Sequence, residues 1–184
     1  MADLTTLANV KSWLNIQSNT DDALLSRMIT SVSTYIQSWL NRSFSVASYT
    51  DTSNGNGVSS QLVLRNYPIV SVSSLTINGI IIPFSPDGIK PGYQYDGKAI
   101  YLIGYIFQRG MRNIVVNYSA GYASVPAEIE QAVIELLSLR YRERSRIGEN
   151  SKSIGGETVS YNIKDFPEGV KTILNNYKRV ISLA

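Results

Sequence analysis

The stretch VNYSAGYASVPAEIEQAVIELLSLRYRERSR, residues Val116–Arg146, passes from a β-rich pattern into a long helical one. Small residues and a Gly-Tyr pair separate the two patterns, and Pro126 stands where the helix would begin. Proline is favoured in the first turn of a helix, because the N–H that it lacks would have no partner there. The stretch therefore predicts that a strand-rich region ends near Ser119 and that a helix covers residues 126–146.

This helix has an apolar face that is broader than one core contact requires. At 100° per residue, its apolar side chains occupy an arc of about 220°. Either the helix is buried on several sides within its own chain, or another subunit covers part of the arc. Under the second interpretation, Leu137 and Tyr141 are candidates for a subunit interface.

Four arginines alternate near the end of the same helix. Arg140 and Arg144 point to one side, and Arg142 and Arg146 point in a direction roughly 160° away. Basic residues are favoured at a helix C-terminus by the dipole alone, and Glu143 can pair with neighbouring arginines. A solvated, salt-bridged helix end is therefore the alternative to a contact with nucleic acid.

Two more helices are predicted before the strand-rich region, over residues 4–16 and 20–41, because apolar residues recur there at helical spacing. The polar face of the second helix is almost without charge, whereas solvated helix faces usually carry Lys and Glu. It is either an exposed polar surface or a subunit interface, where charged residues are depleted. The interface candidates on this face are Ser26, Thr30, Ser33 and Gln37.

Residues 44–119 change to a β pattern, rich in β-branched residues and punctuated by turn pairs such as Asn78-Gly79. The pattern predicts five to seven short antiparallel strands, inserted between the second and third helices. The polar stretch TSNGNGVSS, residues 52–60, is predicted to be a loop. We therefore expect an α+β fold in which a helical core of about four helices carries an inserted antiparallel β lobe.

A fourth helix is predicted over residues 167–182, after a Gly- and Ser-rich stretch. Its apolar stripe consists of Val170, Ile173, Leu174, Tyr177 and Ile181.

The composition excludes several classes of function. The chain has 184 residues, no Cys and no His, so thiolate chemistry, histidine-based catalysis and most transition-metal sites are ruled out. Its carboxylates are scattered, and its glycine-rich stretches do not have the form of phosphate-binding loops. We expect no catalytic residues, no metal site and no cofactor. No apolar run is long enough to span a bilayer, so no membrane association is expected.

The order of these segments resembles the head-tail connector, or head completion adaptor, proteins of long-tailed bacteriophages and their prophages. The resemblance covers nearly the whole chain, and the order of the segments is its specific signal. The segments that carry it are VKSWLNIQSNTDDALLSRMITSVSTYIQSWLNRSF, LRNYPIVSVSSLTING, VNYSAGYASVPAEIEQAVIELLSLRY, SIGGETVSYN and FPEGVKTILNNYKR.

The resemblance implies a single connector domain, residues 1–184, that forms a homo-oligomeric ring, usually of twelve copies, beneath the portal protein in the neck of the virion. Such a ring extends the channel for double-stranded DNA and seats the next head-completion or tail protein. Before assembly the protein would be in the cytoplasm of the bacterial host. The family's inward-facing helix makes Arg140, Arg142, Arg144 and Arg146 candidates for loose, sequence-independent DNA contact.

The same resemblance implies that the C-terminal helix docks on the portal, which makes its apolar stripe the docking candidate. We expect this helix to be dispensable for the monomer's core. The alternative function is a monomeric glycan- or receptor-binding module that uses the tyrosine-rich β lobe.

Overall fold

The computed structural model describes residues 2–144, 151–154, 157–160 and 166–178. Helices and antiparallel sheets make up these residues, which confirms the predicted α+β fold class. The chain divides into two compact units: a helical unit, Met1–Asn41 with Val125–Lys178, and a β unit, Arg42–Ser124. The assignment of residues 1–184 to one connector domain stays a prediction.

The helices of the described residues lie within the ranges that the sequence predicts. They are α1 (Leu7–Leu14), α2 (Asp22–Leu40), α3 (Ala127–Glu143) and α4 (Glu168–Asn176). The strands are β1 (Ala47–Gly55), β2 (Gln61–Val63), β3 (Ile69–Ile77), β4 (Ile80–Ile82), β5 (Gly92–Tyr95), β6 (Ala99–Ile103), β7 (Gly110–Ala120), β8 (Ser151–Ile154) and β9 (Glu157–Ser160).

Short polar residues mark the ends of the first two helices. The Thr6 hydroxyl accepts a hydrogen bond from the Asn9 N–H at 3.3 Å and so caps the start of α1. Both α1 and α2 end at an asparagine, Asn15 and Asn41, with φ of 55° and 53°. Asparagine tolerates this left-handed conformation better than most residues, and each helix therefore ends at its asparagine.

The broad apolar face of α3 is covered by the chain itself. In the helical unit α3 packs against α1, α2 and α4. Ile129, Val133, Leu136 and Leu137 are each at most 1% exposed. Burial by three neighbouring helices therefore accounts for an apolar arc wider than a single contact would need.

The β unit consists of two antiparallel sheets. One has the strand order β1-β7-β3-β4 and the other β2-β6-β5. Asn78 and Gly79 join β3 to β4 with φ of 53° and 79°, as a tight hairpin turn requires, so the predicted turn is confirmed. The apolar side chains of both sheets form one core, and its largest completely buried members include Leu75, Ile100, Ile114 and Tyr118.

The loop predicted at residues 52–60 is wrong in its first part, because β1 continues through Gly55. The strand pairs with β7 from Ala47 opposite Ala120 to Gly55 opposite Gly110, with an irregularity after Ser53. At Gly55 a Cβ would lie 1.8 Å from the Gln108 carbonyl oxygen, so only glycine fits this close approach. Backbone hydrogen bonds to β7 thus keep this polar segment in a strand, although its sequence does not alternate between apolar and polar residues.

A buried arginine lies at the start of the β unit. Arg42 is 8% exposed, donates a hydrogen bond to the Tyr67 carbonyl oxygen and lies 4.0 Å from the centroid of the Tyr67 ring. The rings of Phe44 and Tyr122 are at 5.1 and 5.6 Å from the same guanidinium. Since the Tyr122 N–H also donates to the Phe44 carbonyl at 2.8 Å, the first and last segments of this unit are held side by side.

Candidate interaction surfaces

The arginines of α3 differ in what they contact. The Arg140 guanidinium lies 4.7 Å from the centroid of the Tyr35 ring on α2. Arg144 lies 3.9 Å from the ring of Tyr141 and donates to its carbonyl oxygen at 2.6 Å. Arg142 is exposed, with no ion pair or ring contact to any residue that the structure describes. Arg146 lies outside the described residues, so among the other three candidate arginines it is Arg142 whose guanidinium is most available.

Tyr141, an interface candidate, is used within the chain. Its hydroxyl donates to the carboxylate of Asp21 at the start of α2, and this hydrogen bond is the main reason why the pKa of Tyr141 is raised. The contact ties the last turn of α3 to the first turn of α2. Leu137, the other apolar candidate, is completely buried in the helical unit.

The N-terminal segment covers part of the uncharged face of α2. Ser33 is 1% exposed, and its hydroxyl accepts from the Leu4 N–H at 3.0 Å. Gln37 is 2% exposed and donates to the Ala2 carbonyl at 3.0 Å. Ser26 and Thr30 remain exposed. The subunit-interface role stays a prediction, and these two are the members of the face that offer surface to a neighbour.

The C-terminal helix contributes to the core of the helical unit, which contradicts the expectation that it is dispensable there. Val170 and Leu174 are completely buried in this conformation. Ile173 and Tyr177 are half-buried, and the Tyr177 hydroxyl donates to the Glu128 carboxylate at 3.1 Å. Ile181 lies outside the described residues, and docking on a portal stays a prediction.

An aromatic stack joins α2 to the start of α4. Phe166 lies between Tyr35 and Trp39, with ring centroids at 5.1 and 5.2 Å. The Arg140 guanidinium and the Lys178 ammonium, 5.1 Å from the Trp39 ring, flank this stack. Tyr35 and Trp39 lie four residues apart on α2, so helical spacing alone puts them on one face, but nothing near Phe166 in the sequence indicates that it packs between them.

The β unit exposes large apolar side chains. Ile80 and Ile81 on the edge strand β4 are 67% and 72% exposed, and Met111 is 85% exposed. Beside β4 lies a groove of about 380 Å³, in which Phe84 meets Tyr93 at 5.6 Å between ring centroids. Exposed apolar surface of this kind marks sites where proteins associate.

Acidic side chains do not gather into a metal site in the part of the chain that the structure describes, since no three or more of them form a cluster that could hold a metal ion. None of the described helices is long and apolar enough to cross a membrane. The exposed apolar side chains and arginines are instead of the kind by which proteins associate with partners.

Residues 3–180 match the family model described as head completion protein, and the chain belongs to this family. The resemblance seen in the sequence is thereby confirmed, and the protein is a structural component of a phage-type head-tail connection. No curated protein matches the sequence.

Solved structures from gene transfer agent (GTA) particles share the fold. A chain of the neck of a native GTA particle, computed with C12 symmetry, matches 97% of this chain and 90% of its own length, with 16% identity and a TM-score of 0.56. A chain of the empty-particle neck, computed with C6 symmetry, covers 97% of this chain and 91% of its own length at the same 16% identity and TM-score of 0.56. A chain of the native GTA virion covers 100% and 95%, again with 16% identity and a TM-score of 0.56.

Proposed function

We propose that the protein is the subunit of a ring, of twelve copies in the virion, that docks beneath the portal protein, extends the DNA channel and seats the next head-completion or tail protein. The family match over residues 3–180 carries this proposal. The likeness to neck chains from assemblies with C6 and C12 symmetry supports the ring. The site of action is then the neck of the virion, after synthesis in the cytoplasm of a bacterial host.

Arg142, with Arg146, is the proposed channel pair. Arg142 is exposed on α3, while the guanidinium groups of Arg140 and Arg144 lie on tyrosine rings. A ring of guanidinium groups would neutralise phosphates without reading bases, which suits DNA that must slide. Arg140 and Arg144 then stabilise the end of α3 or contact a neighbouring subunit.

The proposed subunit contacts use the exposed part of the α2 face, Ser26 and Thr30. The proposed portal contacts use the half-buried Ile173 of α4 and Tyr177, which follows its last residue. Val170, Leu174, Ser33, Gln37 and Leu137 act indirectly, because they are buried and hold these surfaces in place.

Electron microscopy of the protein mixed with the portal encoded beside it tests the proposal. Extra density with portal symmetry, on the tail side of the portal, is the expected result. Thr30→Arg should prevent ring formation while the monomer stays folded, and Thr20→Arg, an exposed residue before α2, is the matched control. A portal that never acquires density over a wide range of protein concentration would contradict the proposed function.

A further inference from the structure

The β unit contains a polar groove beside the edge strand β1. Its volume is about 490 Å³, and no apolar or aromatic residue lines it. The lining residues are Thr50, Thr52, Ser53, Asn54, Arg65 and Arg112.

Both arginines of the groove carry uncompensated charge. Arg65 and Arg112 are exposed, and neither has a carboxylate within 4.0 Å among the residues that the structure describes. They are far apart in the sequence, so the fold brings two like charges to one surface. A surface that carries two like charges attracts an ion of the opposite charge.

Arg112 also has an unusual backbone conformation. Its φ of 51° lies in the left-handed region, which long side chains rarely adopt. The Arg112 N–H donates to the side-chain oxygen of Asn54 at 2.7 Å. Asn54, which also lines the groove, therefore stabilises the unusual backbone conformation of Arg112. Backbone strain of this kind is concentrated at functional sites.

The acidic residue nearest to the groove in sequence is turned into the protein. Asp51 stands between Thr50 and Thr52, but it is only 8% exposed. Its carboxylate accepts from the Tyr118 hydroxyl at 2.8 Å and from the Arg65 N–H at 3.1 Å. These internal donors satisfy the carboxylate oxygens, and the lining of the groove contains two arginines and no acidic residue.

Hydroxyl groups complete the set of donors. The Thr50 hydroxyl already donates to the Asn117 side chain at 2.6 Å. The hydroxyls of Thr52 and Ser53 make no hydrogen bond to any described residue. Guanidinium groups and hydroxyls are donors that a phosphate oxygen accepts from, and the lining of the groove contains both.

We propose that this groove binds phosphate groups of a DNA backbone. Arginine, serine, threonine and asparagine are the side chains that contact phosphate oxygens in protein–DNA complexes. An apolar peptide would need a hydrophobic pocket and stacked bases would need an aromatic platform, and the groove has neither. An acidic peptide is the alternative that a polyglutamate titration tests. The site belongs to the β unit and does not depend on the roles proposed for α3 and α4.

The test titrates the full-length protein with inorganic phosphate and, separately, with a short DNA duplex of arbitrary sequence. Binding of the duplex is followed by fluorescence anisotropy at several salt concentrations, and the site by the amide resonances of Thr52 and Ser53. The test variant is Arg65→Gln with Arg112→Gly, since glycine accepts the positive φ. The control, Arg27→Gln with Arg109→Gln, removes the same charge from exposed arginines outside the groove.

The groove variant should weaken duplex binding about tenfold or more. It should also reduce the salt slope, the steepness with which log K for the duplex falls with the logarithm of salt concentration, by about 2, one for each lost phosphate contact. The control should leave the amide shifts of Thr52 and Ser53 intact. Shifts with phosphate but none with duplex would overturn the DNA assignment in favour of a free-phosphate site.

Equal weakening by the control pair, or binding of polyglutamate in preference to the duplex, would overturn the proposal. Circular dichroism checks the fold, and Arg65→Gln alone, with half the expected change in salt slope, serves if the double variant does not fold. Ring formation is read separately by electron microscopy, so failure of this site and failure of the ring can be told apart.

Discussion

The two units of the protein differ in where their apolar surface goes. In the helical unit, α3 is covered on several sides by other helices, and Trp13 is the one large apolar side chain among its described residues that is strongly exposed. In the β unit, Ile80, Ile81 and Met111 are more than 60% exposed. The helical unit therefore uses its apolar surface for its own stability, and the β unit leaves a share of it for partners.

The units also differ in what they bury besides hydrocarbon. The β unit encloses a carboxylate, Asp51, and a phenol, Tyr118, joined at 2.8 Å. Tyr118 also accepts hydrogen bonds from the N–H and side-chain amide of Asn66 at 3.2 and 3.3 Å. The stability of a buried polar network depends on each of its hydrogen-bond partners, whereas the stability of an apolar core depends on how completely side chains fill its volume.

Truncating the core of the helical unit should have the largest effect on stability. Leu174 is completely buried in α4, so Leu174→Ala should lower the free energy of unfolding by about 2–5 kcal/mol. Urea denaturation measures this change. Asn175→Ala, at an exposed neighbour, should change it by less than about 0.5 kcal/mol. Equal, small effects of both variants would show that α4 is not part of this core.

Removing one hydroxyl from the β unit should have the next largest effect. Tyr118→Phe leaves the buried Asp51 with one fewer donor, at a cost of about 1–3 kcal/mol by the same measurement. Tyr49→Phe is the matched control, because the Tyr49 ring packs 5.7 Å from that of Tyr118 while its hydroxyl makes no hydrogen bond within the described part of the chain. A Tyr118→Phe variant as stable as the control would contradict the importance of the network.

The same tyrosine should make stability depend on pH in the alkaline range. Burial, with the bond to Asp51, raises the pKa of Tyr118 from 10.0 to about 12. Because the folded state holds this proton more tightly, its contribution is complete below pH 10 and is lost as the pH rises through 12. Tyr118→Phe should flatten, without abolishing, the fall in stability over this range, since the pKa of Tyr93 is also raised by burial. An unchanged slope would contradict the assignment.

Changing an exposed apolar residue of the β unit should have the smallest effect on the monomer. Ile81→Ser on β4 should alter the free energy of unfolding by about 0.5 kcal/mol or less, yet weaken association with a partner of this unit. The neighbour Ile82 is 6% exposed, so Ile82→Ser should instead destabilise the monomer. If the two variants were equally destabilised, the exposed edge would belong to the core.

Features that rest on local periodicity could be predicted from the sequence. Helix α2 follows from apolar residues repeated at helical spacing, and the β3–β4 hairpin follows from Asn78-Gly79, a pair suited to two positive φ angles. Both signals reside in neighbouring residues, so no knowledge of the remaining chain is needed.

Features that rest on distant partners could not be predicted. Ser33 and Gln37 look like an exposed polar face, but backbone groups of the N-terminal segment cover them. Residues 52–55 look like a loop, but pairing with β7 makes them a strand. In the same way, the groove at Arg65 and Arg112 exists only after the β unit has folded, because no pattern in the sequence relates its two arginines.

The contact of Arg42 with the rings of Phe44 and Tyr122 has a consequence for how this chain could change in evolution. Phe44 and Tyr122 lie side by side, so the β unit begins and ends at nearly the same place. An inserted segment whose two ends lie together adds little to the entropic cost of joining the helices on either side of it. Even for a flexible loop, each doubling of length raises this cost by only about 0.6 kcal/mol. In terms of loop-closure entropy, residues 42–124 therefore act on the helices before and after them as a short connection would. Lineages could exchange, enlarge or lose this segment while keeping the helices, and so acquire a new partner without refolding the rest.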